Sequence, residues 1–339
     1  MRLKEVGEDP LIERLKKDFA AAHPRILKAI GDDAAVVAID RKRCILTTTD
    51  TLVEGVHFSP RYSPPYLLGR KAVSISLSDI AAMGGSPFFF LLSVALKSSV
   101  TLEFFNELYR GVRDCAAEAG VFLVGGNTSE APSETVITST MIGEAPKDEI
   151  VYRSGARAGD VIYLTGTAGD AALGLEVLKR SGPRSIAKGA FRGPFKNAVE
   201  RHLNPTARVR AGRFIARKKL ATAMIDTSDG LMRDLRRLSV ESRVGAMVEL
   251  KRLPLSKAMG AYIKCNPRQR HLPLHGGEDY ELLFTAAEAR GPEVASLGKK
   301  LGVRITAIGR VLARSAGVRV FDEYGSCVPL DREGYEHFR

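Results

Sequence analysis

Runs of β-branched and apolar residues alternate with segments of helical spacing along this 339-residue chain, and that alternation is what most narrows the folds open to it. The spacing predicts a helix over 11–30 (Leu11, Ile12, Leu15, Phe19) and strands over 34–39 and 44–53. An amphipathic helix over 66–83, announced by Pro64-Pro65, a strand over 88–96, a helix over 102–119 and strands over 121–124 and 135–142 follow. A break at "APKDEI", near 145–150, opens a second series. It holds a strand at 160–165, helices at 170–180 and 205–217, a strand at 221–226, a helix at 229–242, strands at 244–250 and 281–286, a helix at 290–301 and a strand at 303–311. The segment 181–195, rich in Gly, Pro and basic residues, reads as a surface excursion. The pattern predicts an α/β (α+β) protein of two units, 1–148 and 149–339.

Several function classes drop out early. No window of about 18 apolar residues exists to span a membrane. The charged N-terminus has no apolar signal core. The cysteines at 44, 115, 265 and 327 form no CxxC pair, so we expect a reduced, cytoplasmic protein without a disulfide framework or zinc site. The formal charge is +12, and residues 179–219 hold thirteen Lys or Arg against one acid, Glu200. That stripe lacks an RNA-recognition signature and interleaved aromatics, and Trp is absent. A solvated surface that draws in small anions is the expected reading, and a nucleic-acid partner is not expected.

The chain carries no GxxxxGK[ST] loop, HExxH or GxSxG. It does carry aspartates at the junctions of its predicted elements: Asp32 and Asp33 in "GDDAAV", Asp50 in "TTTDTL", Asp79 in "SLSDIAAMGG", and Asp226 and Asp229 in "IDTSDGL". Capping accounts for Asp32 and Asp229. It does not account for Asp79, inside a largely apolar helix, or for Asp50, inside a strand-like run; a carboxylate there needs a cation or strong donors. Converging carboxylates, with hydroxyl or carbonyl oxygens from Thr48 and Thr49, suit Mg²⁺, whose shell substrate phosphates commonly complete. Glycine-rich turns at 125–127, 165–170 and 275–279 would let backbone approach an anion closely. Together these features point to phosphoryl chemistry on a nucleotide.

Nine segments in order, "GDDAAV", "TTDTLVEGVHF", "KAVSISLSDIAAMGGSP", "GGNTS", "YRSGARAGDVIYLTGTAGDAALGL", "RHLNPTARV", "IDTSDGLMRDL", "GGEDYELLFT" and "GYEHF", resemble the thiamine-monophosphate kinases of the aminoimidazole-ribonucleotide-synthetase-like superfamily. The resemblance implies an N-terminal domain that binds ATP and Mg²⁺, whose sheet pairs with a second subunit's to make a homodimer, and a C-terminal α/β domain. It implies direct in-line phosphoryl transfer from ATP to thiamine monophosphate, with several Mg²⁺ ions. Metal ligands would be Asp33, Thr48, Thr49, Asp50, Asp79, Asn127, Asp226 and Asp229. ATP would meet Tyr109, Gly126, Asn127, Arg153 and Ser228. The thiamine substrate would meet His57, His275, Glu278 and Arg332. No catalytic base is implied, because the attacking phosphate oxygen is already ionised.

Two residues depart from the family pattern. Asn127 stands where relatives usually carry Asp, and Arg332 where they usually place an aromatic residue against the thiamine ring. Rival readings are an aminoimidazole-ribonucleotide synthetase, a hydrogenase-maturation enzyme of the same superfamily, or a non-catalytic polyanion-binding protein. A selenophosphate synthetase fits less well, since no reactive Cys lies in a glycine-rich N-terminal segment.

Overall fold

The computed structural model describes residues 2–20, 22–180, 193–330 and 332–338, so most of the excursion expected at 181–195 lies outside the described residues. The first part runs α1 (Leu3–Val6), α2 (Glu8–Asp18), β1 (Ile26–Lys28), β2 (Ala35–Ala38), β3 (Arg43–Val53), α3 (Pro65–Ala82), β4 (Ser86–Lys97), α4 (Leu102–Ala119), β5 (Phe122–Ala131) and β6 (Val136–Pro146). The second runs β7 (Val161–Thr165), α5 (Asp170–Arg180), α6 (Lys196–Leu203), α7 (Val209–Arg217), β8 (Ala223–Asp226), α8 (Leu231–Ser242) and β9 (Gly245–Glu249). It continues with α9 (Lys257–Cys265), α10 (Leu272–His275), β10 (Leu282–Ala286), α11 (Gly291–Leu301), β11 (Ile305–Leu312), β12 (Val318–Phe321) and β13 (Cys327–Val328).

The first sheet has the order β1-β2-β3-β6-β4-β5 and is antiparallel except for the β4/β5 pair. Along β3 the two-residue period buries Cys44, Leu46, Thr48 and Leu52 and turns Thr49 and Thr51 outward. The buried face meets α3 and α4, where Leu46, Phe90, Leu92, Ile137 and Met141 pack with Leu68, Val73, Ile80, Leu108 and Val112. The two helices cross on glycines: a Cβ at Gly69 would stand 2.0 Å from the Leu108 carbonyl oxygen, and one at Gly111 would stand 1.9 Å from that of Tyr66.

The second sheet has the order β13-β12-β9-β11-β7-β10-β8. Strands β7, β10 and β8 at one side of it are buried along their whole lengths, on both faces. Ile162 and Leu164 of β7 enter one core with Ile225, Leu235 and Leu283, while Val161 and Tyr163 enter the other with Ile215, Met224 and Phe284.

Helix α3 belongs to both parts. Thirteen of its 18 residues are buried, and Ala81 and Ala82 pack with Ala211, Ile215 and Ala216 of α7. The expected amphipathic helix is therefore covered on the flank that its pattern would leave to water, because the second part packs there.

Other elements also depart from expectation. The helix predicted over 11–30 stops at Asp18, and β1 follows, with Pro24 disfavouring helix at His23. The helix predicted from 205 starts at Val209, after a separate α6, since Pro205 forces Asn204 out of helical geometry. Residues 125–127 do not turn; they lie inside β5, where a Cβ at Gly126 would meet the Leu92 carbonyl oxygen at 1.8 Å. Those glycines let β5 lie against β4.

The basic stripe is largely engaged where it is described. Arg201 and Arg208 grip Glu281, Arg213 pairs with Glu149, and Lys219 with Asp148.

Candidate active site

Carboxylates from three regions of the sequence meet where the two parts join. Asp33 comes from the loop before β2, Asp79 from α3 and Asp226 from the end of β8, and each offers an oxygen within 4.8 Å of the others. Ser78 Oγ, one residue before Asp79 on α3, donates to Asp226 at 2.5 Å across the junction. Thr48 Oγ1 donates to Asp79 at 2.5 Å, and Ser76 Oγ to Asp50 at 3.1 Å. Alternation on β3 explains why Thr48 and Asp50 face α3 while Thr49 turns outward and pairs with Thr140 at 3.0 Å.

Burial comes first in raising these carboxyls, and repulsion among them adds to it. Burial, then Asp33, pushes Asp226 up to about 8. Burial, with Asp229 and Asp33 adding to it, raises Asp50 to about 6. Burial, then Asp50 and Asp226, raises Asp79 well above the usual carboxylate range. The cation bound here is Arg153, whose guanidinium donates to Asp33 Oδ1 at 2.6 Å. Asp33 Oδ2 is buried with no partner. A group of hard oxygens with excess negative charge and an orphaned carboxylate oxygen fits a divalent cation such as Mg²⁺. Asp32 turns aside, accepting from the Arg153 backbone N–H at 3.1 Å and facing Lys28, in keeping with a turn role.

Asp229 sits next to this group, with its carboxylate on Arg237 at 2.5 Å. Its loop is held from below by buried Asp234, which accepts from the N–H groups of Asp229 and Gly230. The 275–279 turn is bonded directly to the same loop. Glu278 N–H donates to the Ser228 carbonyl at 2.7 Å and Tyr280 N–H to that of Thr227 at 2.9 Å. Glu278 and Tyr280 both have positive φ, 67° and 51°, a strain of roughly 1–2 kcal/mol per residue that surrounding bonds must hold.

Around Glu278 the polar groups are dense. Lys71 Nζ lies 2.6 Å from Oε1. His202 Nδ1 lies 3.0 Å from Oε2, off the geometry of a hydrogen bond. Burial alone would raise the Glu278 carboxyl; Lys71 and His202 reverse this and hold it well below the usual carboxylate range. His57 is kept in place by the Val53 N–H and stands 5.5 Å, ring to ring, from His337 of the C-terminal segment. That segment is tied down by the Tyr335 N–H on the Asp229 carbonyl at 2.8 Å and by Glu336 on Arg233 at 3.1 Å. Arg332 is exposed, and burial together with Arg332 lowers His275 to about 4.

The remaining residues expected at the site lie elsewhere in a single chain. Asn127 and Gly126 are exposed on edge strand β5, three strand spacings or ~14 Å from β3. Tyr109 sits on α4, its ring 4.6 Å from Phe105. Sequence reasoning missed Lys71, Ser76, Ser78, His202 and Asp234. The polar residues recurring in "KAVSISLSD" were the available signal for the first three.

The chain matches the family described as AIR synthase related protein, N-terminal domain, over residues 31–145, and the C-terminal domain of that family over 157–322. It is 37% identical to the thiamine-monophosphate kinase of Escherichia coli (strain K12) over 98% of both chains. It is also 37% identical to that of Aquifex aeolicus over 100% of both. The chain belongs to the thiamine-monophosphate kinase family. A solved structure of AaThiL complexed with AMPPCP and TMP superposes with a TM-score of 0.83, at 35% identity, over 99% of each chain. The two-domain, mixed α/β architecture of this thiamine-monophosphate kinase family member is thus that of its relatives.

Proposed function

We propose that this chain transfers the γ-phosphoryl group of ATP to thiamine monophosphate, giving thiamine diphosphate and ADP. The observation that carries the reading is the convergence of Asp33, Asp79 and Asp226 beside the 275–279 turn, in a chain alike over its whole length to thiamine-monophosphate kinases. Asp33, Thr48, Asp50, Asp79 and Asp226 would hold Mg²⁺, with Asp229 beside them, and the ion supplies neutralisation of phosphate charge when bound. The chain's own groups do the rest. Arg153 braces Asp33, and Ser76, Ser78 and Thr48 orient the other carboxylates by donating to them. His57, His275, Glu278 and the C-terminal segment form the wall for the thiamine end, and Ser228 joins that wall to the carboxylates. No side chain need remove a proton, because the acceptor phosphate is ionised at neutral pH.

We further propose a homodimer. Edge strand β5 of the first sheet exposes Phe122, Leu123 and Val124 at 63%, 42% and 58%. Pairing there would bring Gly126, Asn127 and Tyr109 of one chain toward the other's carboxylates. We place the domain boundary at 148/149. The four cysteines are unpaired, in keeping with a reducing compartment, and we assign the cytoplasm.

The test is direct. Purified protein is incubated with ATP, Mg²⁺ and thiamine monophosphate, and the products are separated by chromatography. Thiamine diphosphate is expected in step with ADP. If thiamine monophosphate does not accelerate ADP release at any Mg²⁺ concentration, the kinase reading falls.

A further inference from the structure

Lys71 is almost wholly buried, with a side chain 4% exposed, yet it lies far along α3 from the carboxylates. Its ammonium reaches out of the first part to Glu278 of the second at 2.6 Å, and lies 3.4 Å from the carbonyl oxygen of His57. The same helix carries Ser76, Ser78 and Asp79 at its other end. Lys71 and Asp79 are eight residues apart, so they project within roughly a quarter turn of each other, ~12 Å apart along the α3 axis. One rigid helix thus grips the carboxylate cluster at one end and the 275–279 turn at the other. The turn needs such a grip, because Glu278 is held at a φ of 67°, which an L-residue seldom adopts. His202, with a side chain 3% exposed, closes the opposite side of the Glu278 carboxylate.

We propose that Lys71 is a positioning residue: acting through Glu278, with His202 as backstop, it sets the distance between the thiamine-binding turn and the carboxylates that receive the nucleotide phosphates. The inference rests on the reading of function given above and assigns a role to two residues outside that reading. A lysine that merely stabilised the junction would affect both substrates alike, whereas a positioning lysine affects the one held by the turn.

Steady-state kinetics on the full-length protein separate the two roles. Lys71→Met is expected to raise KM for thiamine monophosphate at least about tenfold while KM for ATP moves less than twofold. Lys71→Arg, which keeps the charge, should recover most of that loss. Because Lys71 acts through Glu278, the double variant Lys71→Met/Glu278→Gln should be no worse than Glu278→Gln alone. Should Lys71→Met not fold, His202→Gln makes the same comparison from the other side of the carboxylate, with a rise of about threefold or more confined to thiamine monophosphate. Effects of Lys71→Met and Glu278→Gln that multiply, or an equal rise in KM for ATP in either the Lys71 or the His202 variant, overturn the inference. A wild type inactive on thiamine monophosphate overturns the functional reading and this inference with it; an active wild type with multiplying variants overturns this inference alone.

Discussion

Asp79 shows how one residue type serves opposite ends. Its carboxyl is pushed up by burial and by Asp50 and Asp226, so a charge on it is costly unless a cation stands beside it. Asp79→Asn removes that repulsion and a proposed ligand together. We expect kcat to fall roughly 30–150-fold, the equivalent of ~2–3 kcal/mol, with the thermal midpoint unchanged or raised in the absence of Mg²⁺. Near-normal turnover would make Asp79 a purely structural residue. At the thiamine end Arg332 and Tyr335 are both exposed, but the Tyr335 backbone N–H is anchored to the Asp229 carbonyl, so Tyr335 offers an aromatic ring on a fixed segment. Tyr335→Ala should raise KM for thiamine monophosphate, and Arg332→Trp should leave it equal or lower it. His275 reports on the same corner. Its folded value, about 4, lies below the ordinary 6.5, so the neutral form is the one the fold stabilises. Stability from this group is complete above pH 6.5 and is lost as pH falls toward 4. Arg332→Trp should shift the His275 ring titration upward in an NMR pH series, and an unmoved titration would show that Arg332 does not act on it.

Among elements, α3 matters most, and its position is set by the glycine crossing with α4. At 1.9 Å from the Tyr66 carbonyl oxygen, a Cβ at Gly111 has no room, and the obstacle is backbone rather than a movable side chain. Gly111→Ala should therefore destabilise the protein by at least about 2 kcal/mol, read from urea unfolding midpoints at unchanged m. By displacing α3 it should also reduce activity more than its stability loss explains. Much at this scale was legible in advance. The spacing of Phe105, Leu108, Val112 and Ala116 matches α4, although Leu102 at its start is exposed, and the β-branched run from Cys44 matches β3, because each pattern reports one buried face. The pattern predicts a strand over 121–124 where β5 runs on to Ala131, since glycine signals a turn by its freedom and a close strand contact by its size, and a sequence does not distinguish the two.

For the whole molecule, the exposed apolar edge of β5 calls for a partner copy in the reading proposed here. Val124→Asp on that edge should convert a dimer to a monomer in light scattering and abolish most turnover, because Asn127 and Gly126 lie three strand spacings, ~14 Å, from β3 within one chain. A monomeric wild type with full activity would remove the dimer from the mechanism.

The amino-acid order by itself determined the alternating α/β architecture, the residues facing each core, and the aspartates that no cap explains. Those are local consequences of side-chain period and of the cost of burying charge. Tertiary structure alone decided which of these groups meet. Ser78 and Asp226 are 148 residues apart, and Lys71 and Glu278 are 207 apart. Neither pairing leaves a periodic trace, because a contact between elements depends on where the chain returns rather than on its neighbours. The outward turn of Thr49 and the covered flank of α3 have the same origin. A strand has two faces and a helix has several, and only packing against the rest of the molecule decides which of them water sees.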